Sequence, residues 1–310
     1  MTQPRFPIAL RRIGSFADHA GGATALAWSP TAPTLATSDD RSVHLWDTIK
    51  GVKINDLFGP IESITALGWS TDGRCIASSA GRIIWLWGWR PQGGIERIES
   101  SGGDIVGISW SPDGRYLAWA GRGMEDLAVH LWDAASGQEI ALLTGIDAPL
   151  TALAWSPDSQ MIAATADDGI IRAWTAQSTD PMIRLKGHQD AAWCLSWDPT
   201  GRMLATGGLD GKIYVWDIAA RSELRELQGH ASWVYAIAWS PDGKYIASGS
   251  GDPEGADRSL RLWDPIQSKE IGRVDAAHGN IIHALAWSPD GRRLASASAD
   301  ERVTLWEIVA

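Results

Sequence analysis

The sequence predicts an all-β chain closed into a ring of seven small four-stranded antiparallel sheets, and three observations carry that prediction. The 310 residues include 19 tryptophans against three phenylalanines and four tyrosines, so one aromatic is demanded repeatedly for one structural reason. The tryptophan of a W-S or W-D motif recurs at Trp28, Trp69, Trp110, Trp155, Trp197, Trp239 and Trp287, at intervals of 41 to 48 residues. A second series follows 18 to 24 residues behind, at Trp46, Trp87, Trp132, Trp174, Trp216, Trp263 and Trp306. Seven pairs at one period mean seven structural units.

Inside each unit, side chains alternate as in half-buried strands, for example Val43 and Leu45 against His44 and Trp46. Turns such as Pro112-Asp113-Gly114 and Pro241-Asp242-Gly243 separate the segments. A single four-stranded sheet cannot bury its faces alone. Successive sheets must therefore stack, and radial closure into a seven-bladed β-propeller leaves only short edges. The whole chain, residues 1–310, reads as one such domain.

Charge and composition narrow the function. The formal charge is 27 minus 37, or -10, with acidic groups spread along the chain. Binding to nucleic acid or to an anionic membrane would need clustered Lys and Arg instead. Cys75 and Cys194 lie too far apart for a metal motif and are too few for a disulfide scaffold. The N-terminal residues lack the apolar core of a signal peptide, and no stretch approaches the ~18 apolar residues of a membrane helix. A soluble, cytoplasmic chain without cofactor or metal is the expectation.

The order G-H, W-S-P-D-G, L-A-S-x-S-x-D and x-L-W-D resembles the WD40 repeat over essentially the whole chain. It is fullest at Gly229-His230, Trp239-Ser240-Pro241-Asp242-Gly243, Ile246-Ala247-Ser248, Asp257 and Leu262-Trp263-Asp264. The resemblance implies four strands per blade, a to d, and closure of the ring by the chain's own ends. Only four residues follow Trp306, too few for the last outer strand, so residues 7–16 are expected to supply it, with residues 1–6 flexible.

The family also implies a His, Ser/Thr, Asp, Trp tetrad in each complete blade. It falls on His19, Thr37, Asp40 and Trp46 in blade one, and on His188, Thr206, Asp210 and Trp216 in blade five. Blade six has His230, Ser248, Asp257 and Trp263, and blade seven His278, Ser296, Asp300 and Trp306. Ser, His and Asp together suggest a hydrolase triad, yet four periodic copies argue for a clamp, because a catalytic site is needed once. Blades two to four depart, with Pro60, Ser101 and Ile146 at the histidine position, and are expected to be less rigid or differently braced. His44 and His130 share one mid-strand position with Trp85, Arg172, Tyr214, Arg261 and Thr304, which argues against metal ligation. Trp85 and Trp89 are read as packing between blades, and the loop holding Asp252, Glu254 and Asp257 as solvated.

In the family the face carrying the d–a and b–c loops is the common docking face, and the start of strand a points to it. Six and four residues before the first tryptophan, blades one to four carry Gly22, Thr24, Ser63, Thr65, Asp104, Val106, Pro149 and Thr151. Blades five to seven carry Ala191, Trp193, Trp233, Tyr235, Ile281 and His283. Aromatic side chains dominate interface hot spots. The expected partner-binding patch is therefore Trp193, Trp233, Tyr235, Ile281 and His283, the competing reading being that these rings only plug the channel mouth. Longer hairpins near residues 122–125 and 252–256 fall on the same face. Asp39, Glu125 and Asp167 are expected to form an acidic sector opposite the aromatics. The resemblance implies a non-catalytic scaffold that holds other proteins or peptides. The alternatives are a peptide or small-ligand sensor at the aromatic mouth, and an enzyme sited in the channel, for which no unique cluster of acid, base and nucleophile remains.

Overall fold

The a–b hairpin shows why the W-S-P-D-G string recurs. The Ser240 hydroxyl donates to Asp242 Oδ1 (2.7 Å) and accepts from the Tyr245 amide (2.9 Å), while Asp242 Oδ1 also accepts from the Lys244 amide (3.1 Å). Gly243 takes φ of 73°, a left-handed conformation that glycine adopts without steric cost. Six residues, Ser240 to Tyr245, thus close a turn on themselves. The same Ser–Asp pair recurs in blades two, three, four and seven.

In the computed structural model, which describes residues 6–60, 62–88 and 94–309, the strands form seven four-stranded antiparallel sheets. No helix occurs among the described residues. Blades one to six run a-b-c-d in chain order, as in blade five with Ala192–Trp197, Met203–Gly208, Ile213–Asp217 and Ser222–Leu227. Blade seven takes strands a to c from Ile282–Trp287, Arg293–Ser298 and Arg302–Val309, and its outer strand from Ala9–Ala17. The register runs from Ala9 opposite Val309 to Ala17 opposite Arg302.

This closing strand starts at Ala9 rather than at Pro7, because the chain before it is occupied elsewhere. The Ile8 amide donates to Ile271 O of blade six (3.1 Å), and the Arg273 guanidinium lies 5.5 Å over the Phe6 ring. Of the segment expected to be flexible, only Phe6 is described, beneath that guanidinium; residues 1–5 lie outside the described residues, as does Trp89. At the other end of the strand, Phe16 stacks on Trp46 of blade one at 4.4 Å. One strand therefore touches three blades.

The middle strands are not half-buried. Strand b is buried throughout in Ile76–Ala80 and Ile246–Ser250, and in strand c of blade one Val43, His44 and Trp46 are all buried. Each blade packs on a neighbour through both faces, so apolar groups are needed on both sides. Solvent alternation survives only in outer strands such as Ile95–Glu99. Burial on both faces makes any polar group of the inner strands dependent on an internal partner.

Candidate functional site

Two sets of side chains carry chemistry: the clamps within the blades and the ring at the channel mouth. In blade five Trp216 Nε1–H donates to Thr206 Oγ1 (2.9 Å), His188 Nε2 lies 2.9 Å from the same oxygen, and His188 Nδ1 lies 3.0 Å from Asp210. An indole only donates, so the hydroxyl spends its single proton on Nε2 and leaves the proton on Nδ1 for the carboxylate. Blade six repeats this through Ser248 (2.7 and 2.8 Å) and Asp257 (2.9 Å), and blade seven through Ser296 (2.6 and 2.8 Å) and Asp300 (3.0 Å). In each case the histidine is pinned between two partners inside the blade, with no open position for a substrate.

Blade one corrects the expected set. Thr37 joins His19 Nε2 (2.7 Å) and Trp46 Nε1 (2.8 Å), but Asp40 does not reach His19. It accepts instead from Ser63 of blade two (3.0 Å), and His19 Nδ1 has no hydrogen-bond partner among the described residues. The cause is hairpin length: Thr37 to Asp40 spans three positions where Thr206 to Asp210 spans four. Asp39 is likewise not part of an exposed acidic sector. It is buried and accepts from Ser42 and the Arg41 amide, while its other oxygen lies 3.2 Å from His44 Nε2. Those hydrogen bonds outweigh burial and hold its carboxyl down to about 2.

Burial, reinforced by neighbouring His44, pushes His19 down to about 4. The unfolded chain therefore takes up this proton first as pH falls. Stability should be insensitive to His19 above about pH 6.5 and should decline between about 6.5 and 4. Urea midpoints across that range are expected to fall less steeply for His19→Gln than for the natural protein; equal slopes would refute the assignment.

Blades two to four are braced from the mid-strand position of strand c. This residue lies directly opposite the tetrad's hydroxyl position on strand b: Ser78 faces Trp85, Trp119 faces His130, and Ala164 faces Arg172. In blade two Trp85 stacks on Trp87 (5.8 Å) beneath the Arg97 guanidinium (4.0 Å), so it braces its own blade as well as packing toward blade one. In blade three His130 bridges Asp126 (2.8 Å) and Glu139 (2.9 Å) and stacks on Trp119 at 5.0 Å. In blade four the buried Arg172 pairs with Asp168 through both terminal nitrogens (3.1 and 2.7 Å) and reaches Asp147 (3.1 Å). His44 in blade one plays a related part, with Nδ1 2.5 Å from Asp56. Blades three and four thus keep polar networks of their own, whereas blade two relies on stacked rings and the Trp87 Nε1–H bond to Ser78 (3.0 Å).

At the channel mouth a repeated backbone irregularity places the side chains. In strand a of blades two to seven the ladder slips by one residue, between Ile64 and Ala66, Ile105 and Gly107, Leu150 and Ala152, Ala192 and Cys194, Val234 and Ala236, and Ile282 and Ala284. The unpaired residues are Thr65, Val106, Thr151, Trp193, Tyr235 and His283. A bulge of this kind re-aims a side chain. Together with Thr24 and Arg122 these residues line a cavity of about 420 Å³.

The cavity has two unlike walls. On one, Thr24, Thr65 and Thr151 donate across blade seams to Ile64 O (2.7 Å), Ile105 O (2.6 Å) and Ala192 O (2.5 Å). On the other, Tyr235 meets Trp193 at 5.4 Å, Trp233 at 6.0 Å and His283 at 5.9 Å, all near edge-to-face. These rings are half-buried, and burial lowers the pKa of His283. Trp193, Tyr235 and His283 line the cavity. Trp233 stands behind Tyr235, and Ile281 packs on Gly251, where an added Cβ would lie 2.6 Å from the Ile281 Cα.

Sequence reasoning noticed Arg122 only as part of a longer hairpin, through the 22-residue spacing of the blade-three tryptophans. Its guanidinium lies 5.1 Å over the Trp193 ring of blade five. Asp167, from blade four, faces it at 4.0 Å.

Seven sheets closed by the N-terminal strand, each braced internally and together enclosing a partly aromatic mouth, define a repeat propeller. The comparison with protein families agrees: the WD domain, G-beta repeat matches at residues 10–47, 51–88, 96–133, 137–175, 179–217, 221–264 and 269–307. The chain belongs to that family. Each matched repeat carries the outer strand of one blade and the three inner strands of the next, so adjacent blades are linked in covalent series. No curated protein matches the chain.

Proposed function

We propose that the chain is a non-catalytic docking module that acts in the cytoplasm and holds partner proteins through the aromatic side of its channel mouth, at Trp193, Trp233, Tyr235, Ile281 and His283. The family fold is commonly a protein-interaction scaffold, and the observation that carries the particular site is the contiguous arc of rings facing a wall of threonines. Half-buried tryptophan and tyrosine offer large contact area with few rotamers to immobilise. The mutual stacking read as a plug also holds them ready for a partner, since rigid anchors lose little entropy on binding. The buried histidines are committed within the blades or stacked on Tyr235, which supports a binding role over a hydrolytic one. Burial also pushes the thiol of Cys75 up to about 12, far from the reactive range. A peptide sensor using the same mouth is favoured by the cavity's size, which suits a short ligand.

The test is a double variant, Trp233→Ala with Tyr235→Ala, used to capture partners from the native source. Capture is expected to weaken by at least about tenfold, with the melting temperature nearly unchanged. Loss of folding in step with loss of capture would overturn the reading.

A further inference from the structure

Among the described residues that line the channel mouth, Arg122 is the one charged side chain. Its guanidinium carbon lies 5.1 Å over the Trp193 ring, and a cation–π contact does not use up the N–H donors. No side-chain hydrogen bond among the described residues uses them, and Asp167 at 4.0 Å is too distant for one. The threonine hydroxyls opposite already donate to backbone carbonyls, and burial disfavours a charge on His283. The mouth thus offers one unfilled fork of donors beside an aromatic wall, a geometry matched to a carboxylate.

Outside the mouth the field has the opposite sign. The neighbouring d–a and b–c loops of blades three and four and the d–a loop of blade five expose Asp104, Glu125, Asp167 and Asp190. Arg122 is the only lysine or arginine in those loops. A segment rich in carboxylates would be repelled on approach, whereas a chain with one terminal carboxylate and basic residues before it satisfies both regions. A chain end also enters without carrying a second strand past the rim.

We propose that the channel mouth receives the C-terminus of a partner chain, its carboxylate on the Arg122 fork and its last side chain against Trp193 and Tyr235. The inference rests on the docking reading and specifies the ligand for it.

The experiment uses hexapeptides with two lysines in the middle and leucine, phenylalanine or tryptophan last, each made as the free acid and as the C-terminal amide. An amidated peptide ending in glutamate tests whether a side-chain carboxylate serves instead. Calorimetry is expected to show the best free acid binding at least about tenfold tighter than its amide. The difference should vanish in Arg122→Gln, and the glutamate amide should bind no better than the plain amides. Equal binding of acid and amide, an acid preference that survives Arg122→Gln, a preference for the glutamate amide, or no binding by any peptide would each overturn it. The docking reading fails separately, through the partner-capture test of Trp233 and Tyr235.

Discussion

Removal of residues 1–17 is expected to abolish the cooperative unfolding transition of the protein. The deletion strips the outer strand from blade seven, where pairs run from Ala9 with Val309 to Ala17 with Arg302. It also removes Leu10, buried among blades six and seven, and Phe16, stacked on Trp46. Loss of a buried phenylalanine costs about 3–5 kcal/mol and of a leucine about 2–5 kcal/mol. Their sum is comparable to the stability of a whole domain, about 5–15 kcal/mol. The damage is greater than that sum, because the deletion exposes the edge of Arg302–Val309, an unpaired strand that templates association. Thermal melting by circular dichroism should broaden or disappear, and size-exclusion chromatography should show higher-order species. Adding a peptide of residues 1–17 should restore part of the transition. A truncated protein that melts cooperatively within a few degrees of the natural one would show that the ring does not need its clasp.

Substitution of Arg172 by alanine should be the most damaging single change in the blades that lack the tetrad histidine. Arg172 is fully buried, binds Asp168 through two nitrogens and Asp147 through one, and donates through Nε to Gly145 O (3.2 Å). Burial pushes the Asp168 carboxyl up, but its bonds to Arg172 outweigh that and keep it below the usual carboxylate range. Taking the guanidinium away leaves Asp168 without its counter-charge and a cavity beside it. Asp168 and Asp147 both reach solvent, so the loss is mainly that of the packed guanidinium and its hydrogen bonds, about 2–3 kcal/mol, read as a shift of the urea midpoint at constant slope. The double variant Arg172→Ala with Asp168→Ala should be less destabilised than the sum of its singles. A single variant within about 1 kcal/mol of the natural protein would mean that packing alone braces blade four.

The tetrads show how far sequence spacing carries. Three of the four sets close as hydrogen-bonded networks because their hairpins deliver the aspartate under the histidine. In blade one the hairpin is a residue shorter, a difference visible in the 18-residue spacing of Trp28 and Trp46 against 19 for Trp197 and Trp216. What spacing did not show is where the displaced Asp40 would go, since Ser63 belongs to another blade. The mid-strand set was legible as one position in seven copies. Its bracing role was not, because Trp85, His130 and Arg172 act through different chemistry on different partners.

By itself the sequence determined the number of blades, the closure by the N-terminal strand and the aromatic bias of blades five to seven. Blade number and aromatic bias follow from counting, since paired tryptophans fix the period, and closure follows from the family resemblance, with the segment before His19 matching the one before His230. Only the tertiary structure decided what the mouth contains. The bulges in strand a turn Trp193, Tyr235 and His283 inward, and the reach of Arg122 from blade three to blade five depends on distances across a closed ring. Local periodicity is written along the chain, whereas contacts across the channel exist only once closure has set the spacing between blades.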